Sequence, residues 1–317
     1  MTAKLHKLVV AGQPAVGGAP RQLAWCEWNA TGHAAPRHVV VCVHGLTRQA
    51  RDFDALAQAL SPHALVVCVD VAGRGHSDWL QDPNAYAIPT YAADIAQLLT
   101  HLRQRLREQG LGEEPQIDWV GTSMGGLIGM ALASQPAMGL RRLVLNDVGP
   151  VIEPASLRRI GTYVGQPLRF ASEQAAADYL LTISQGFGPH TPEQWLALSR
   201  PMLRPDDAVG APPGQWRLHY DPALATPFKA LLTLPDEVAQ KVAADGEAQL
   251  WALYDAITAP TLLLRGAESD LLSADTARAM TQRGPRARLV ELPGVGHAPT
   301  LVAPDQIAAV ADFLLSP

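Results

Sequence analysis

Cysteine is scarce: Cys26, Cys42 and Cys68 are the three in 317 residues. So few cannot build a disulfide framework. Cys42 and Cys68 lie inside the apolar runs 39–43 and 65–69, the setting of inert thiols buried in strands. Neither C-x-x-C nor H-E-x-x-H occurs, so no metal site and no cofactor are predicted. Apolar runs stay well short of the ~18 residues a membrane span needs, and residues 1–10 lack the apolar core of a secretory signal. The expectation is a soluble cytoplasmic protein. An excess of positive charge is also missing. Lys and Arg total 25 against 30 Asp and Glu, net −5, and the cations are scattered, which argues against a nucleic-acid partner. Charged residues make up 17% and hydrophobic ones 48%, which excludes a disordered chain and supplies a sizeable core. With no internal repeat or low-complexity tract, the length fits one large α/β domain or two small ones.

What is present is alternation. Residues 39–43, 65–70, 117–121, 143–147, 261–265 and 288–292 are short and rich in Val, Ile and Leu, as central parallel strands are when both faces are buried. Between them, 52–60, 91–109, 124–134, 274–283 and 304–315 carry helical spacing; in 91–109, Ile95, Leu98, Leu99, Leu102 and Leu106 share one face. This predicts a mostly parallel central sheet flanked by helices. Residues 23–28 read as an antiparallel edge strand after a turn at 17–20. From 149 to about 258 there is no convincing buried strand, only helical patterns broken by Pro and Gly, as at 211–214. Such a stretch between two core strands predicts a helical insertion.

Gly121-Thr122-Ser123-Met124-Gly125 lies between a strand and a helix. Glycines on either side of a serine permit a tight strand-to-helix turn that lifts the hydroxyl above the sheet edge. The helix start behind it offers free N–H groups and a partial positive charge suited to an oxyanion. A serine hydroxyl is a weak nucleophile and needs a base. His297, in Pro293-Gly294-Val295-Gly296-His297-Ala298 just past the last strand, is the candidate. The base in turn needs a carboxylate to hold its tautomer. Asp270, after the strand at 261–265, is the expected partner; Glu268 beside it and Asp147 at another strand end are the rivals. The loop 44–48 (His44-Gly45-Leu46-Thr47-Arg48) turns at Gly45, which aims the N–H of Leu46 alongside that of Met124 as an oxyanion pair. His44 is expected to brace this loop.

Taken together, His44-Gly45, the run Asp70-Val71-Ala72-Gly73-Arg74-Gly75-His76-Ser77, the serine motif with Gly126, and the segments 266–270 and 294–297 resemble the α/β-hydrolase superfamily, in its esterase and C–C hydrolase branch with a cap. The resemblance implies an α/β-hydrolase fold with a core of residues 1–148 and 259–317 and a helical cap of 149–258 inserted between two core strands. It implies a Ser123–Asp270–His297 triad, and a pocket that His76 and Trp79 help to line. Dehalogenases and epoxide hydrolases of this fold have aspartate at the nucleophile position, where this chain has Ser123. C–C hydrolases carry a Gly/Pro-rich stretch where this chain has Leu46-Thr47-Arg48-Gln49. Arg48 is placed to clamp a substrate carboxylate or to pair with Asp52 or Asp54; Trp216, with Arg217, His219 and Tyr220, is placed for pocket wall or packing. The implied activity is hydrolysis of a small carboxylic ester through an acyl-enzyme. C–C or lactone cleavage, acyl transfer to an alcohol or peroxide, and a non-catalytic ligand-binding role are the alternatives.

Overall fold

The computed structural model describes residues 3–12, 18–207, 212 and 214–316. The turn expected at 17–20 and the break at 211–214 therefore lie partly outside the described residues. The chain starts with the hairpin β1 (Lys4–Val10) and β2 (Arg21–Trp28), then runs β3 (His38–Val43), α1 (Asp54–Leu60), β4 (Leu65–Asp70), α2 (Ile88–Glu108), β5 (Gln116–Thr122), α3 (Met124–Ala133) and β6 (Leu140–Asn146). A long insertion follows, with α4 (Pro154–Tyr163), β7 (Arg169–Phe170), α5 (Glu173–Ile183), α6 (Pro192–Ser199), β8 (Leu203–Pro205), β9 (Trp216–Leu218), α7 (Ala225–Leu232) and α8 (Asp236–Asp255). The chain then returns to the core as β10 (Thr261–Gly266), α9 (Ala274–Met280), β11 (Arg288–Leu292) and α10 (Pro304–Leu315).

Eight strands form the main sheet, in the order β1-β2-β4-β3-β5-β6-β10-β11. From β4 to β11 every pairing is parallel, and β2 joins β4 antiparallel, carrying β1 on its outer edge. The period of two along a strand splits the core between the two faces. Val39, Val41 and Val43 of β3 pack with Val67, Trp119, Leu98 of α2 and Ile128 of α3. Val40 and Cys42 pack on the other face with Val66, Cys68, Leu56 of α1 and Leu314 of α10. Both faces are thus covered, which is why the strands read as unbroken apolar runs. Cys26, Cys42 and Cys68 are buried free thiols, with Cys68 facing Cys26 across β2–β4 and Cys42 across β3–β4.

The inserted segment corrects one expectation. It is mainly helical, but β7, β9 and β8 form a small antiparallel sheet of their own. These strands are two or three residues long, too short to leave a period in the sequence. The segment is fastened to the core by Gly75 N–H donating to His219 O (3.0 Å), Asp221 N–H to Gly73 O (2.8 Å) and Gly296 N–H to Gly186 O (2.7 Å). Among the described residues, no helix is long and apolar enough to cross a membrane.

Candidate active site

Because the strands from β4 to β11 run parallel, their carboxyl ends gather at one edge, where a site on such a sheet forms. Ser123 leaves β5 there with φ +52° and ψ −117°, a left-handed backbone that a serine adopts only when its surroundings enforce it. The enforcement comes from two flanking glycines. A Cβ on Gly121 would lie 2.3 Å from the carbonyl oxygen of Gly125, and one on Gly125 would lie 1.9 Å from that of Val43. Only hydrogen fits at either position, so strand and helix close onto each other and push the serine outward. Ser123 N–H donates to Asn146 O (2.9 Å), tying the turn to the end of the neighbouring strand β6.

His297 follows β11 and lies 3.0 Å through Nε2 from Ser123 Oγ. Its Nδ1 is 2.8 Å from Asp147 Oδ2. A carboxylate only accepts, so Nδ1 carries the proton and Nε2 is left to accept from the serine hydroxyl. The carboxylate facing the histidine is thus Asp147, and the expectation of Asp270 is corrected. Asp147 sits one residue past β6, fully buried, with φ +56° turning its side chain toward β10. Oδ1 accepts from Gly266 N–H (2.8 Å) and Oδ2 from Ser269 Oγ–H (2.6 Å) as well as from the imidazole. A buried carboxylate with three donors is compensated for its lost hydration and held in one orientation. Asp270 is half-exposed and instead accepts two hydrogen bonds from Arg159 of α4, at 2.7 and 2.9 Å. Glu268 is not the acceptor either; its N–H donates to Val295 O (2.9 Å), holding the histidine loop.

The loop after β3 passes over the serine, since a Cβ on Gly45 would lie 3.6 Å from that of Ser123. Leu46 on this loop lines the same cavity as Ser123, and Met124, next to the serine, is the first residue of α3. Among the described residues, neither N–H donates to a protein acceptor. Two buried side chains hold the loop. His44 donates from Nδ1 to Gly45 O (2.7 Å) and accepts at Nε2 from Val71 N–H (3.0 Å). Burial, with the charge of Arg74 adding to it, pushes its imidazole down to about 3, so it is a neutral brace. Arg74, fully buried, donates from Nε to Leu46 O (2.8 Å) and from Nη1 to Ala72 O (2.6 Å), and its Nη2 lies 3.3 Å from the Met124 sulfur. One guanidinium thus touches both Leu46 and Met124, while Tyr91 covers it with its ring 4.9 Å away. Sequence reasoning quoted Arg74 within a motif but gave it no role; a lone arginine between glycines carries no signal of burial.

Ser123 and His297 open into a narrow cavity of about 70 Å³. Its far wall comes from the inserted segment, with Ile160, Tyr163, Leu180, Phe187, Met202 and Tyr220 contributing apolar surface. Arg48 lines it too, but its guanidinium is engaged: Nε and Nη2 donate to Asp52 at 2.7 and 2.8 Å, and Nη2 also to Leu198 O at 3.2 Å. His76, Trp79 and Trp216 are not among the described residues that line this cavity, which corrects the expectation for His76 and Trp79 and leaves Trp216 the packing alternative. His76 N–H donates to the Asp70 carboxylate (2.9 Å), which turns its side chain away to meet His219 edge-on at 5.3 Å. Trp79 lies in the outer clefts beside Arg217, whose guanidinium is 5.7 Å from its ring. Trp216 is a half-buried residue of the small sheet, paired with Phe170 and Pro205. A larger surface cleft of about 790 Å³ near Trp79 and Asn84 contains none of Ser123, His297 or Asp147.

Comparison with known proteins gives concordant results. Residues 40–310 match the family model described as "Alpha/beta hydrolase family". The chain is 47% identical over 292 residues, covering 92% of each, to a 3-hydroxybutyrate-oligomer hydrolase of Cupriavidus necator. It is 26% identical over 281 residues, covering 85% of this chain and 91% of the relative, to a pimeloyl-[acyl-carrier protein] methyl ester esterase of Xanthomonas campestris. The crystal structure of an alpha/beta hydrolase from Novosphingobium aromaticivorans is similar with a TM-score of 0.77 at 34% identity, covering 99% of this chain and 98% of that one.

Proposed function

The chain belongs to the α/β-hydrolase family and is an enzyme of that fold, and on that premise we propose that it hydrolyses small carboxylic esters, short esters of hydroxy acids such as 3-hydroxybutyrate oligomers among them, through an acyl-enzyme on Ser123. The observation that carries this proposal is the hydrogen-bonded line from Asp147 through His297 to Ser123, with the serine facing a cavity. The 47% identity to a 3-hydroxybutyrate-oligomer hydrolase supports the substrate class.

The chemistry follows from the geometry. Ser123 Oγ attacks the ester carbonyl as its proton passes to His297 Nε2, and the imidazolium so formed is stabilised by the Asp147 carboxylate against Nδ1. The carbonyl oxygen, now an oxyanion, takes the N–H groups of Leu46 and Met124, whose positions Arg74 and His44 hold in advance of the reaction. Collapse breaks the C–O bond, and the alcohol leaves with the proton from Nε2. Water then repeats the sequence on the acyl-enzyme: it gives a proton to Nε2, the acid departs, and Ser123 recovers its hydrogen. The inserted segment acts as a cap, roughly 149–258, whose apolar wall excludes bulk water from the acyl group.

Ser123→Ala tests this. The variant is expected to lose activity on p-nitrophenyl acetate by at least about 10³-fold and to resist labelling by a fluorophosphonate while keeping its fold. Full activity in the variant would overturn the serine mechanism. Wild-type enzyme that cleaves p-nitrophenyl acetate but not a 3-hydroxybutyrate dimer would overturn the substrate class alone.

A further inference from the structure

Among the described residues, two arginines line the cavity that holds Ser123 and His297: Arg48 and Arg159. Their partners separate them. The Arg48 side chain is 9% exposed and its partner Asp52 18%, whereas Arg159 is 39% exposed and its partner Asp270 46%. A buried, fully hydrogen-bonded pair opens only at the cost of stranding a charge away from water. An exposed pair is worth little, because water solvates both ions when they part. Arg159 can therefore exchange its carboxylate partner, and Arg48 cannot.

The position of Arg159 adds a direction. Beyond His297, the cavity adjoins a second cleft of about 300 Å³, lined by Arg159, Asp270, Tyr163, Gly296 and His297 itself. Arg159 and His297 thus belong to both spaces. In ester hydrolysis the leaving alcohol departs from the histidine side, because Nε2 must protonate its oxygen. A group carried by the alcohol therefore enters the cleft where Arg159 stands. A planar guanidinium already holding a carboxylate in two parallel hydrogen bonds, at 2.7 and 2.9 Å, has the fork geometry to hold another.

We propose that Arg159 binds a carboxylate on the leaving alcohol of the substrate, with Asp270 occupying that place until the substrate displaces it. This rests on the ester-hydrolase function proposed above and specifies its substrate: an ester whose alcohol half is a hydroxy acid with a free carboxylate. A hydroxy-acid oligomer then binds by its carboxyl end, and each turnover releases the terminal hydroxy acid. The rest of the chain stays on Ser123 as the acyl group until water releases it.

The experiment compares 3-acetoxybutyrate with its methyl ester, in which a methyl group caps the charge on the alcohol half, and follows release of acetate so that cleavage of the methyl ester itself is not counted. The readout is the ratio of kcat/KM for the acid to that for the methyl ester. Arg159→Leu is expected to lower this ratio at least tenfold, with the change in KM, and Arg159→Lys to recover part of it. Asp270→Asn is expected to raise it, because the resident competitor is gone. Fluorophosphonate labelling of Ser123 reports that each variant is folded, and Arg159→Gln replaces Arg159→Leu if that variant is not. A ratio within twofold of wild type in Arg159→Leu (or in the Arg159→Gln that replaces it), or a fall in Asp270→Asn, overturns the proposal. If wild type cleaves neither compound yet cleaves p-nitrophenyl acetate, the carboxylate site fails and the serine mechanism stands. If it cleaves none of the three and Ser123 does not label, the proposed function itself fails.

Discussion

Asp147→Asn and Asp270→Asn, measured side by side, form the sharpest test of how the histidine is held. Asparagine preserves the volume of aspartate in both. At position 147 the buried carboxylate accepts from His297 Nδ1, Ser269 Oγ and Gly266 N. The amide can still accept from Gly266 through one oxygen, but it then turns its NH₂ toward the imidazole. His297 is driven to the opposite tautomer, with the proton on Nε2, where it cannot take one from Ser123. Its imidazolium also loses a buried counter-charge. Together these are worth about 10³ to 10⁴ in kcat, or about 4–5.5 kcal/mol of barrier. Loss of stability accompanies it, about 1–3 kcal/mol for the mismatched buried donor, which a melting curve measures separately. At position 270 the substitution breaks only a half-exposed pair with Arg159, worth about 0–1 kcal/mol, so hydrolysis of p-nitrophenyl acetate is expected to stay within about fivefold of wild type. An Asp270→Asn enzyme inactive on this neutral ester, beside an active Asp147→Asn enzyme, would refute the reasoning.

Three further outcomes follow from the same contacts. Arg48→Leu strands Asp52, whose carboxyl burial already pushes upward, and is expected to cost about 3–5 kcal/mol of stability by denaturant titration; Arg48→Leu combined with Asp52→Leu is expected to recover most of it, and a variant of wild-type stability that loses only acidic esters would contradict this. Arg74→Met keeps apolar volume but releases Leu46 O, and is expected to lower kcat about 10- to 100-fold with little change in KM; a loss confined to KM would show that Arg74 does not act through the oxyanion loop. Finally, His44 is depressed to about 3 when folded against about 6.5 when unfolded, so between those values the unfolded chain binds the extra proton. Stability is then complete above about pH 6.5 and falls toward pH 3, His44 contributing as much as about 1.4 kcal/mol per unit. Urea midpoints should therefore show a shallower slope in His44→Gln than in wild type, the remainder coming from other burial-depressed histidines such as His219.

The core of this fold was legible because burial on both faces of a parallel sheet writes itself as unbroken Val, Ile and Leu, and because Gly121 and Gly125 are demanded by backbone contact. The serine and histidine came with them, each at the end of a strand. The carboxylate that faces the histidine did not, since Asp147 and Asp270 both follow strands and composition cannot rank them. Three-dimensional contacts do: Ser269 and the N–H of Gly266 turn toward Asp147, while Arg159, more than a hundred residues away along the chain, takes Asp270. The one local clue is that aspartate tolerates the left-handed backbone that position 147 requires better than most residues. His76 and Trp79 were misplaced for a related reason. They adjoin a motif near the site, but the Asp70 carboxylate grips the His76 N–H and reverses the chain there.

The place of Asp147 has a consequence for how such an enzyme can change. Proposed nucleophile and proposed acid stand at the ends of β5 and β6, whose pairing sets Thr122 beside Asn146. Their backbone positions are set beside each other by one short, continuous stretch of core, finished before the inserted segment begins, and the returning strand β10 then orients the carboxylate through Gly266 and Ser269. That segment, which supplies the cavity's far wall and Arg159, is spliced in afterwards. It is therefore a replaceable cassette: a different insert at the same junctions would meet the same serine and carboxylate already in place, and new substrate preferences can arise without re-founding the chemistry.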